Sequence, residues 1–176
     1  GIVNDILDLA KLEAGRLEID RGQYSLVSLL ENALELNRPY CTECNCRMVL
    51  NYEERDRSRL IDCDENRLLQ VLTNLLTNAA KYSRDDEDIE VSLVIDGDSA
   101  RIEVTDHGPG IPEEQKQHVF QRFNQIGTPV NQKMAGTGLG LRISKQLIEL
   151  NDGTIGFRSI PDESTTFYFT LPLAQP

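Results

Sequence analysis

The chain has 176 residues, of which 39% are apolar and 27% are charged, so it can form one domain with a sizeable core and is neither a small disulfide-dependent scaffold nor a multidomain machine. Its 18 Lys and Arg against 29 Asp and Glu give a net charge of −11, which disfavours nucleic acid and anionic membranes as partners and requires any phosphate site to be local. No apolar run is long enough to span a bilayer and no signal peptide is evident, so we expect a soluble, cytoplasmic protein.

The N-terminal segment has apolar residues at helical spacing, namely Ile2, Ile6, Leu9 and Leu12. This pattern predicts an amphipathic helix that ends at Gly15. Because the chain opens in helical periodicity and without Met, we expect a fragment of a longer protein, and a membrane anchor in that parent stays open. After a polar connection, Ser25 is the predicted N-cap of a second helix that should end at Pro39, and we place the start of the main domain near Tyr24.

The middle of the chain predicts two short strands, a long helix and a β-hairpin. The short strands are predicted at residues 48–52 and 59–63. Asp64 is the predicted N-cap of a helix of about five turns with a broad apolar stripe. Two strand-like runs at residues 89–95 and 100–105 flank Asp96-Gly97-Asp98, which is typical of a hairpin.

The last third predicts a short helix starting at Pro112, a long exposed loop over the aperiodic residues 124–135, and a helix over residues 139–150 with its C-cap at Asn151-Asp152-Gly153. Strands are predicted at residues 154–160 and 165–171. Helices mixed with hairpin-linked strands predict an α+β fold, a two-layer sandwich in which helices cover one face of a mixed, mostly antiparallel sheet.

The cysteines are few and closely spaced, at Cys41, Cys44, Cys46 and Cys63. The Cys-x-x-Cys-x-Cys spacing of the first three could indicate a zinc site, but the second Cys or His pair of a closed tetrahedral site is missing. A metal site or a redox switch is the alternative to the interpretation we prefer, which is four reduced thiols.

Asn74, Asn78, Lys81 and Tyr82 fall on one side of the predicted long helix. Carboxamide oxygens suit Mg²⁺ and an ammonium group suits a phosphate, so this face could form a site. A solvated polar face is the alternative, chiefly for Asn74. We favour a functional role for Asn78 and Lys81.

Asp106 ends a predicted strand and is followed closely by Gly108-Pro109-Gly110. A carboxylate held at a sheet edge can accept a hydrogen bond from an exocyclic amino group such as that of adenine, although an Asp that caps a turn is a common alternative. Farther along, Gly136, Gly138 and Gly140 lie just before a predicted helix, where backbone N–H groups can hold an anion. The glycine pattern is neither a P-loop nor a dinucleotide fingerprint, and a flexible junction is its alternative.

Taken in order, residues 74–82, 106–111, 120–123 and 136–141 resemble the N, G1, F and G2 boxes of the ATP-binding catalytic domain of sensor histidine kinases, within the GHKL superfamily. Residues 4–15 resemble the end of the second helix of the dimerisation and phosphoacceptor domain. The resemblance implies a sandwich of the GHKL ATPase type, with residues 1–23 as the end of that helix and a linker, and residues 24–176 as the ATP-binding catalytic domain.

The resemblance also implies the cofactors ATP and Mg²⁺, with Asn78 as the metal ligand and with Asn78 and Lys81 as catalytic residues. The implied nucleotide-site residues are Asn74, Asn78, Lys81, Tyr82, Asp106, Gly108, Gly110, Ile111, Phe123, Lys133, Gly136, Thr137, Gly138, Leu139, Gly140 and Thr165. Asp106 would read the adenine amino group, and residues 124–135 would form the ATP lid. Phe120 and Phe123 would anchor that lid or, alternatively, belong to the core. Arg122 and Lys133 would contact phosphate.

Two departures from the family pattern bear on these expectations. Ser164 stands where the family usually has Gly, which affects the local turn, while Thr165 keeps the hydroxyl expected near adenine. The family's phosphoacceptor His, which lies in the preceding helix, is absent. The two histidines that are present, His107 and His118, lie where surface or packing roles are expected. We therefore expect the chain to hold Mg²⁺-ATP, to phosphorylate a separately supplied His-bearing helical domain, and to label itself negligibly.

The implied partners are the His-containing dimerisation domain of the parent, itself expected to be a homodimer, and a response regulator receiver domain. Neither nucleic acid nor direct membrane contact is expected. A catalytically inactive GHKL domain that acts as a nucleotide-binding or protein-interaction module is the alternative, although Asn78, Lys81 and Asp106 are intact. A GHKL ATPase would require a carboxylate base near Asn78, and one helical turn away the chain has only Asn74 and Tyr82.

Overall fold

The structure is a computed structural model that describes residues 2–122 and 136–175. Its helices are α1 (Ile2–Glu13), α2 (Leu26–Glu43), α3 (Glu65–Tyr82), α4 (Glu113–Lys116) and α5 (Gly140–Leu150). Its strands are β1 (Gly22–Ser25), β2 (Arg47–Asn51), β3 (Leu60–Cys63), β4 (Asp88–Asp96), β5 (Ser99–Asp106), β6 (Thr154–Ile160) and β7 (Ser164–Pro172). None of the helices in these two ranges is long and apolar enough to cross a bilayer.

The main sheet has five strands in the order β2-β4-β5-β7-β6. The β2-β4 pair is parallel and the other neighbouring pairs are antiparallel. Along β5, Ala100, Ile102, Val104 and Asp106 are buried while the residues between them are at least partly exposed. This alternation arises because α2, α3 and α5 cover only one face of the sheet. The predicted α+β fold with a mixed, mostly antiparallel sheet is confirmed.

Both predicted hairpins are present, and left-handed residues form their turns. Gly97 has a φ of 57° between β4 and β5, and Asp162 has a φ of 61° between β6 and β7. The predicted C-cap of α5 also forms, with Asp152 at a φ of 59° and the Gly153 N–H donating to the Ile148 carbonyl oxygen at 3.0 Å. The left-handed position of this cap is thus occupied by Asp152 and not by the glycine.

Pro39 does not end α2, so the predicted end of that helix is wrong. Proline removes only the N–H that would bond to the Glu35 carbonyl, and Glu35 lies on the exposed face, where water can replace that partner. Packing also holds the helix, because the Asn37 side-chain amide donates to the Ala33 carbonyl at 2.8 Å and to Thr73 Oγ1 of α3 at 3.1 Å. Tertiary contact therefore overrides the local signal.

A second sheet, which the sequence pattern did not predict, pairs β1 with β3 in antiparallel register. It begins at Gly22 and leads directly into α2, whose predicted N-cap is confirmed because Ser25 Oγ accepts from the Ser28 N–H at 3.3 Å. The strands of this sheet have four residues each, too few for alternation to identify the pairing.

α1 is held against the rest of the molecule by its acidic side. Asp8 accepts from Gln70 Nε2 at 2.9 Å and lies 3.5 Å from the Arg67 guanidinium, both on α3. Glu13 is ion-paired with Arg122, and Leu9 is buried between these contacts. The helix therefore packs on the surface that α3 and α5 present.

The four cysteines are buried free thiols. Burial raises the pKa of Cys63 to about 12, so that this thiol stays protonated at neutral pH. Cys46 Sγ lies 3.4 Å from the Cys41 carbonyl oxygen, which gives one of the thiols at the end of α2 a backbone acceptor. Within residues 2–122 and 136–175, no three His, Cys, Asp or Glu side chains form a cluster suited to a metal ion.

Asp64 joins three parts of the fold and gives a test of it. Its carboxylate caps α3 by accepting from the Arg67 N–H at 3.1 Å and also accepts from the Asp20 N–H at 3.1 Å. We expect Asp64→Ala to lower the free energy of unfolding by about 1–3 kcal/mol, because the cap is lost and buried donors lose their acceptor. Chemical denaturation measures the effect.

The matched control is Asp62→Ala, which removes the same charge from an exposed position on β3. It should change the free energy of unfolding by less than about 0.5 kcal/mol. Equal effects of the two substitutions would show that the cap and its second contact contribute nothing specific.

Candidate functional site

Two adjoining clefts lie beside α3. The first, here called the polar cleft, is lined by Asp5, Asn74, Thr77, Asn78, Lys81, Tyr82, Gly136, Thr137, Gly138, Gly140 and Leu141. The second, here called the Asp106 cleft, is lined by Asn78, Tyr82, Asp106, Pro109, Gly110, Ile111, Leu141, Thr165 and Phe167. Asn78, Tyr82 and Leu141 line both, so the two clefts form the ends of one continuous site.

α3 supplies the polar groups that connect the two ends. Four of its five leucines are buried in the core, and the face that carries Asn74, Asn78, Lys81 and Tyr82 is turned toward the clefts. This is the arrangement that the spacing of the four residues predicts. A solvated helix face, the alternative for Asn74, is not what forms, because Asn74 bonds to α5 and lines the polar cleft.

Lys81 is a buried cation in the polar cleft. Its residue is only 6% exposed, and no carboxylate in the described part of the chain forms an ion pair with it. Burial lowers the pKa of its ammonium group, and its Nζ lies 5.1 Å from the centre of the Tyr82 ring. A buried charge without a counter-ion is costly, and an anionic ligand in the cleft would remove that cost.

The glycine-rich segment enters α5 beside this cation. A Cβ atom on Gly136 would lie 3.2 Å from Lys81 Nζ, so a side chain there would crowd the ammonium group. Gly138 has a φ of 71°, which other residues rarely adopt. No side chain among the described residues caps the N-terminus of α5, so its first N–H groups can meet an anion in the cleft.

Asn74 joins α3 to the first turn of α5. Its side-chain Nδ2 donates to the Gly140 carbonyl oxygen and to Ser144 Oγ, both at 3.2 Å. A Cβ atom on Gly140 would come within 3.3 Å of Asn74 Cγ, so the glycine lets the carboxamide approach the helix backbone. The two walls of the polar cleft are thereby tied together.

At the other end, Asp106 is only 4% exposed and receives the Gly108 N–H on Oδ1 at 3.0 Å. Burial raises the pKa of its carboxyl group to about 7, and the Gly108 N–H partly opposes this shift. Thr165 lies opposite it in the β5-β7 register, and Thr165 Oγ1 is 2.8 Å from Ser159 Oγ. Ser159 Oγ also accepts from the Ile111 N–H at 2.8 Å, so one hydroxyl links both walls of the Asp106 cleft.

Two glycines after Asp106 let the loop pack closely. A Cβ atom on Gly108 would overlap the Tyr82 carbonyl oxygen and lie 2.8 Å from Asp106 Oδ1. Gly110 has a φ of 72°, and a Cβ atom there would lie 2.5 Å from the Ile160 carbonyl oxygen. The absence of a side chain at Gly108 thus lets the loop pack on the end of α3, and its absence at Gly110 lets the loop pack on the end of β6. Ser164, where a glycine was expected, begins β7 in ordinary strand geometry.

The structure brings most of the predicted site residues together. Gly108 and Leu139 line neither cleft, since Gly108 packs beneath Asp106 and Leu139 is fully buried at the start of α5. Phe123, Lys133 and the predicted lid at residues 124–135 lie outside the described residues. The lining residues that the sequence reasoning missed are Asp5, Thr77, Pro109, Leu141 and Phe167. Leu141 and Phe167 follow the same periodicity as core residues, so no sequence signal separates them.

Other candidates have local partners. Phe120 packs against Phe157 and Phe167 with ring centres 6.0 and 6.4 Å away, as expected of a core aromatic residue. Arg122 is ion-paired with Glu13 of α1. His107 Nε2 lies 3.2 Å from Glu90 Oε1 at the sheet surface.

The chain matches the family model described as histidine kinase-, DNA gyrase B- and HSP90-like ATPase over residues 63–175. It is similar to the circadian input-output histidine kinase CikA of Synechococcus elongatus, with 34% identity over 97% of this chain and 23% of that protein. It is also similar to the sensor histidine kinase AruS of Pseudomonas aeruginosa, with 39% identity over 98% of this chain and 18% of that protein. The chain thus spans about a fifth of the length of these curated relatives.

The fold is similar to that of solved histidine kinases. Full-length ShkA in complex with AMPPNP superposes with a TM-score of 0.85 and 28% identity, over 99% of this chain and 36% of that one. The catalytic domain of histidine kinase ThkA superposes with a TM-score of 0.73 and 25% identity, over 89% of this chain and 96% of that one. The second match indicates that the sheet and helices described above form a catalytic domain in a known protein.

The raised pKa of Asp106 predicts a particular pH dependence of stability. The Asp106 carboxyl has its ordinary pKa of about 4 in the unfolded chain and a pKa of about 7 in the folded protein, so between these pH values the folded state binds more protons than the unfolded state. The stability that this proton binding contributes is therefore lost as pH rises. The free energy of unfolding of the wild type should therefore fall relative to Asp106→Asn across this range, by up to about 1.4 kcal/mol per pH unit. Denaturation at several pH values measures the difference.

Asn keeps an oxygen to accept from the Gly108 N–H, so the substitution removes mainly the ionisation. Asp98→Asn, which removes an exposed carboxyl group from the β4-β5 turn, is the matched control. Parallel pH profiles for the wild type and Asp106→Asn would contradict the prediction.

Proposed function

Since this chain belongs to the family of histidine kinase-, DNA gyrase B- and HSP90-like ATPases, we propose that it is the ATP-binding catalytic domain of a two-component sensor histidine kinase. In this proposal it transfers the ATP γ-phosphoryl group to a His in the phosphoacceptor domain of its parent. The observation that carries the proposal is a continuous site with a buried Lys81, which has no ion pair within the described residues, at one end and a buried Asp106 acceptor at the other. The names of the relatives support the kinase assignment within the family.

The Asp106 cleft suits the adenine base. Its walls include the apolar side chains of Ile111, Leu141 and Phe167, which can enclose a flat ring. Asp106 offers an acceptor to the exocyclic amino group, and the neighbouring Thr165 offers a hydroxyl. Tyr82 lines both clefts, so it would contact the nucleotide between its base and its phosphates.

The polar cleft suits the phosphates and their metal. Lys81 and the uncapped N-terminus of α5 can meet phosphate oxygens, and the glycines at positions 136, 138 and 140 leave room for them. The carboxamides of Asn74 and Asn78 present oxygen donors, which fit the preference of Mg²⁺ for a few hard protein ligands. Asn78 would hold Mg²⁺, and the charge of the bound metal would neutralise part of the charge on the phosphates.

The described residues of the site bind and orient, but none of them is a histidine that could accept the phosphoryl group. Neither His107 nor His118 lines the polar cleft, and His107 pairs with Glu90 instead. The acceptor His therefore comes from the dimerisation domain of a homodimeric parent, and a response regulator receiver domain takes the phosphoryl group onward. In this role the domain is cytoplasmic and contacts neither nucleic acid nor membrane.

One carboxylate does line the polar cleft, although it is not on α3. Asp5 of α1 accepts from the Thr137 hydroxyl at 3.2 Å and faces the same space as Lys81. Its charge has the same sign as that of the ATP phosphates, so the docked position of α1 opposes nucleotide binding.

The proposal is tested by supplying γ-labelled ATP with Mg²⁺ and a separate His-bearing helical domain. We expect the wild type to label that domain and not itself, and we expect Asn78→Ala to abolish transfer because the metal ligand is lost. Calorimetric titration of Mg²⁺ with a non-hydrolysable ATP analogue should show binding that both Asn78→Ala and Asp106→Asn weaken. Binding without transfer would favour the inactive nucleotide-binding module, and label on the chain itself would contradict the proposal.

The position of Asp5 predicts a gain of affinity on substitution. Asp5→Asn should bind the Mg²⁺-ATP analogue about 2- to 10-fold more tightly than the wild type, because one like charge is removed from the phosphate end. Asp98→Asn, which removes an exposed charge from the β4-β5 turn, should leave the affinity unchanged. Weaker binding by Asp5→Asn would instead make this carboxylate a support for the bound metal.

A further inference from the structure

We propose that Ser144 is a positioning residue, which orients the Asn74 carboxamide so that its oxygen faces the phosphate end of the site. The inference rests on the proposed function and deepens it, because it names a buried residue outside the cleft that controls one wall of the cleft. Ser144 lines neither cleft and lies on α5, beyond the glycine-rich segment.

The hydrogen bonds of Asn74 fix the orientation of its amide group. Its Nδ2 carries two N–H donors, and the two available acceptors are the Gly140 carbonyl oxygen and Ser144 Oγ, each at 3.2 Å. With both donors directed at α5, Oδ1 is the polar atom of the side chain that is left for a ligand in the polar cleft. The amide thus offers an acceptor to a metal or its water shell, and not a donor.

Ser144 has no evident packing reason to carry a hydroxyl. It is fully buried on the same face of α5 as Ile143, Leu147 and Ile148, where a buried hydroxyl costs free energy unless it is hydrogen-bonded. Alanine would fit the same space and is the better helix former. The contact that explains the hydroxyl is the one with Asn74 Nδ2.

Without the hydroxyl, one N–H of Asn74 loses its acceptor while the Gly140 carbonyl oxygen still holds the other. Held by this single bond, the amide can rotate away from α5, because the free N–H would gain a partner in the cleft. A turned amide directs a donor toward the metal side and lowers affinity there. The Asp106 cleft should not respond, because the side-chain hydrogen bonds of Asp106 and Thr165 within the described residues run to Gly108 and Ser159, and not to Ser144.

The experiment compares two ligands that occupy different parts of the site. Calorimetric titration with Mg²⁺ and a non-hydrolysable ATP analogue should show affinity about 3- to 10-fold weaker for Ser144→Ala than for the wild type. Titration with adenosine, which has no phosphates, should give the same affinity for both proteins. A merely structural defect would weaken both ligands together.

A double-mutant cycle tests whether Ser144 acts through Asn74. In the Asn74→Ala background, Ser144→Ala should cause no further loss of affinity for the Mg²⁺-ATP analogue. Ser144→Cys keeps a weaker acceptor at the same place and should recover part of the affinity. The matched control is Ser83→Ala, which removes a buried hydroxyl that has no hydrogen-bond partner among residues 2–122 and 136–175 and should leave both affinities unchanged.

Three outcomes would overturn the inference. Unchanged binding of the Mg²⁺-ATP analogue by Ser144→Ala would show that the hydroxyl does not orient Asn74, while the proposed function would stand. Equal loss for the analogue and adenosine, or a full additional loss in the Asn74→Ala background, would make Ser144 a packing residue. Failure of the wild type itself to bind either ligand would remove the proposed function and this inference with it.

Discussion

The burial of one side of α3 is the constraint on which the rest of the site depends. Leu68, Leu72, Leu75 and Leu76 are almost completely excluded from solvent, and the helix packs against α2, α5 and the sheet. Because a helix is rigid over this length, burial of that stripe dictates where every residue on the opposite side lies. The groups that face the two clefts are therefore held by hydrophobic packing in the core and need no separate scaffold.

The electrostatics of the site are local and opposed to those of the whole chain. The net charge of −11 repels a polyanion at a distance, whereas Lys81 and the N-terminus of α5 attract it at close range. In the proposed function, selection between ligands depends on the two ends of the site, where Lys81 would face phosphate and the Asp106 carboxyl group would face an amino group. The docked α1 adds the Asp5 carboxylate at the first of these ends, so an anionic ligand bound there would be repelled by this helix.

The sequence could predict the features that local periodicity and turn chemistry encode. The apolar stripe of α3, both hairpins, the caps at Ser25 and Asp64, and the glycines around the clefts belong to this group. What could not be predicted depends on contacts between distant segments. The β1-β3 pairing, the continuation of α2 through Pro39, the entry of Asp5 into the polar cleft and the bond between Ser144 and Asn74 have no local signature.

The β5-β7 register has a further consequence during synthesis of the chain. Asp106 is paired with Thr165, so the wall of its cleft is completed only when β7, which follows β5 by about 60 residues, has been added beside β5. A nascent chain that has been synthesised as far as β5 already contains α3 with Asn74, Asn78 and Lys81. It still lacks the wall of the Asp106 cleft that β7 provides. Such long-range pairing raises contact order and slows folding. The complete site can therefore form only after β7 has been synthesised and paired, as a property of the finished sheet.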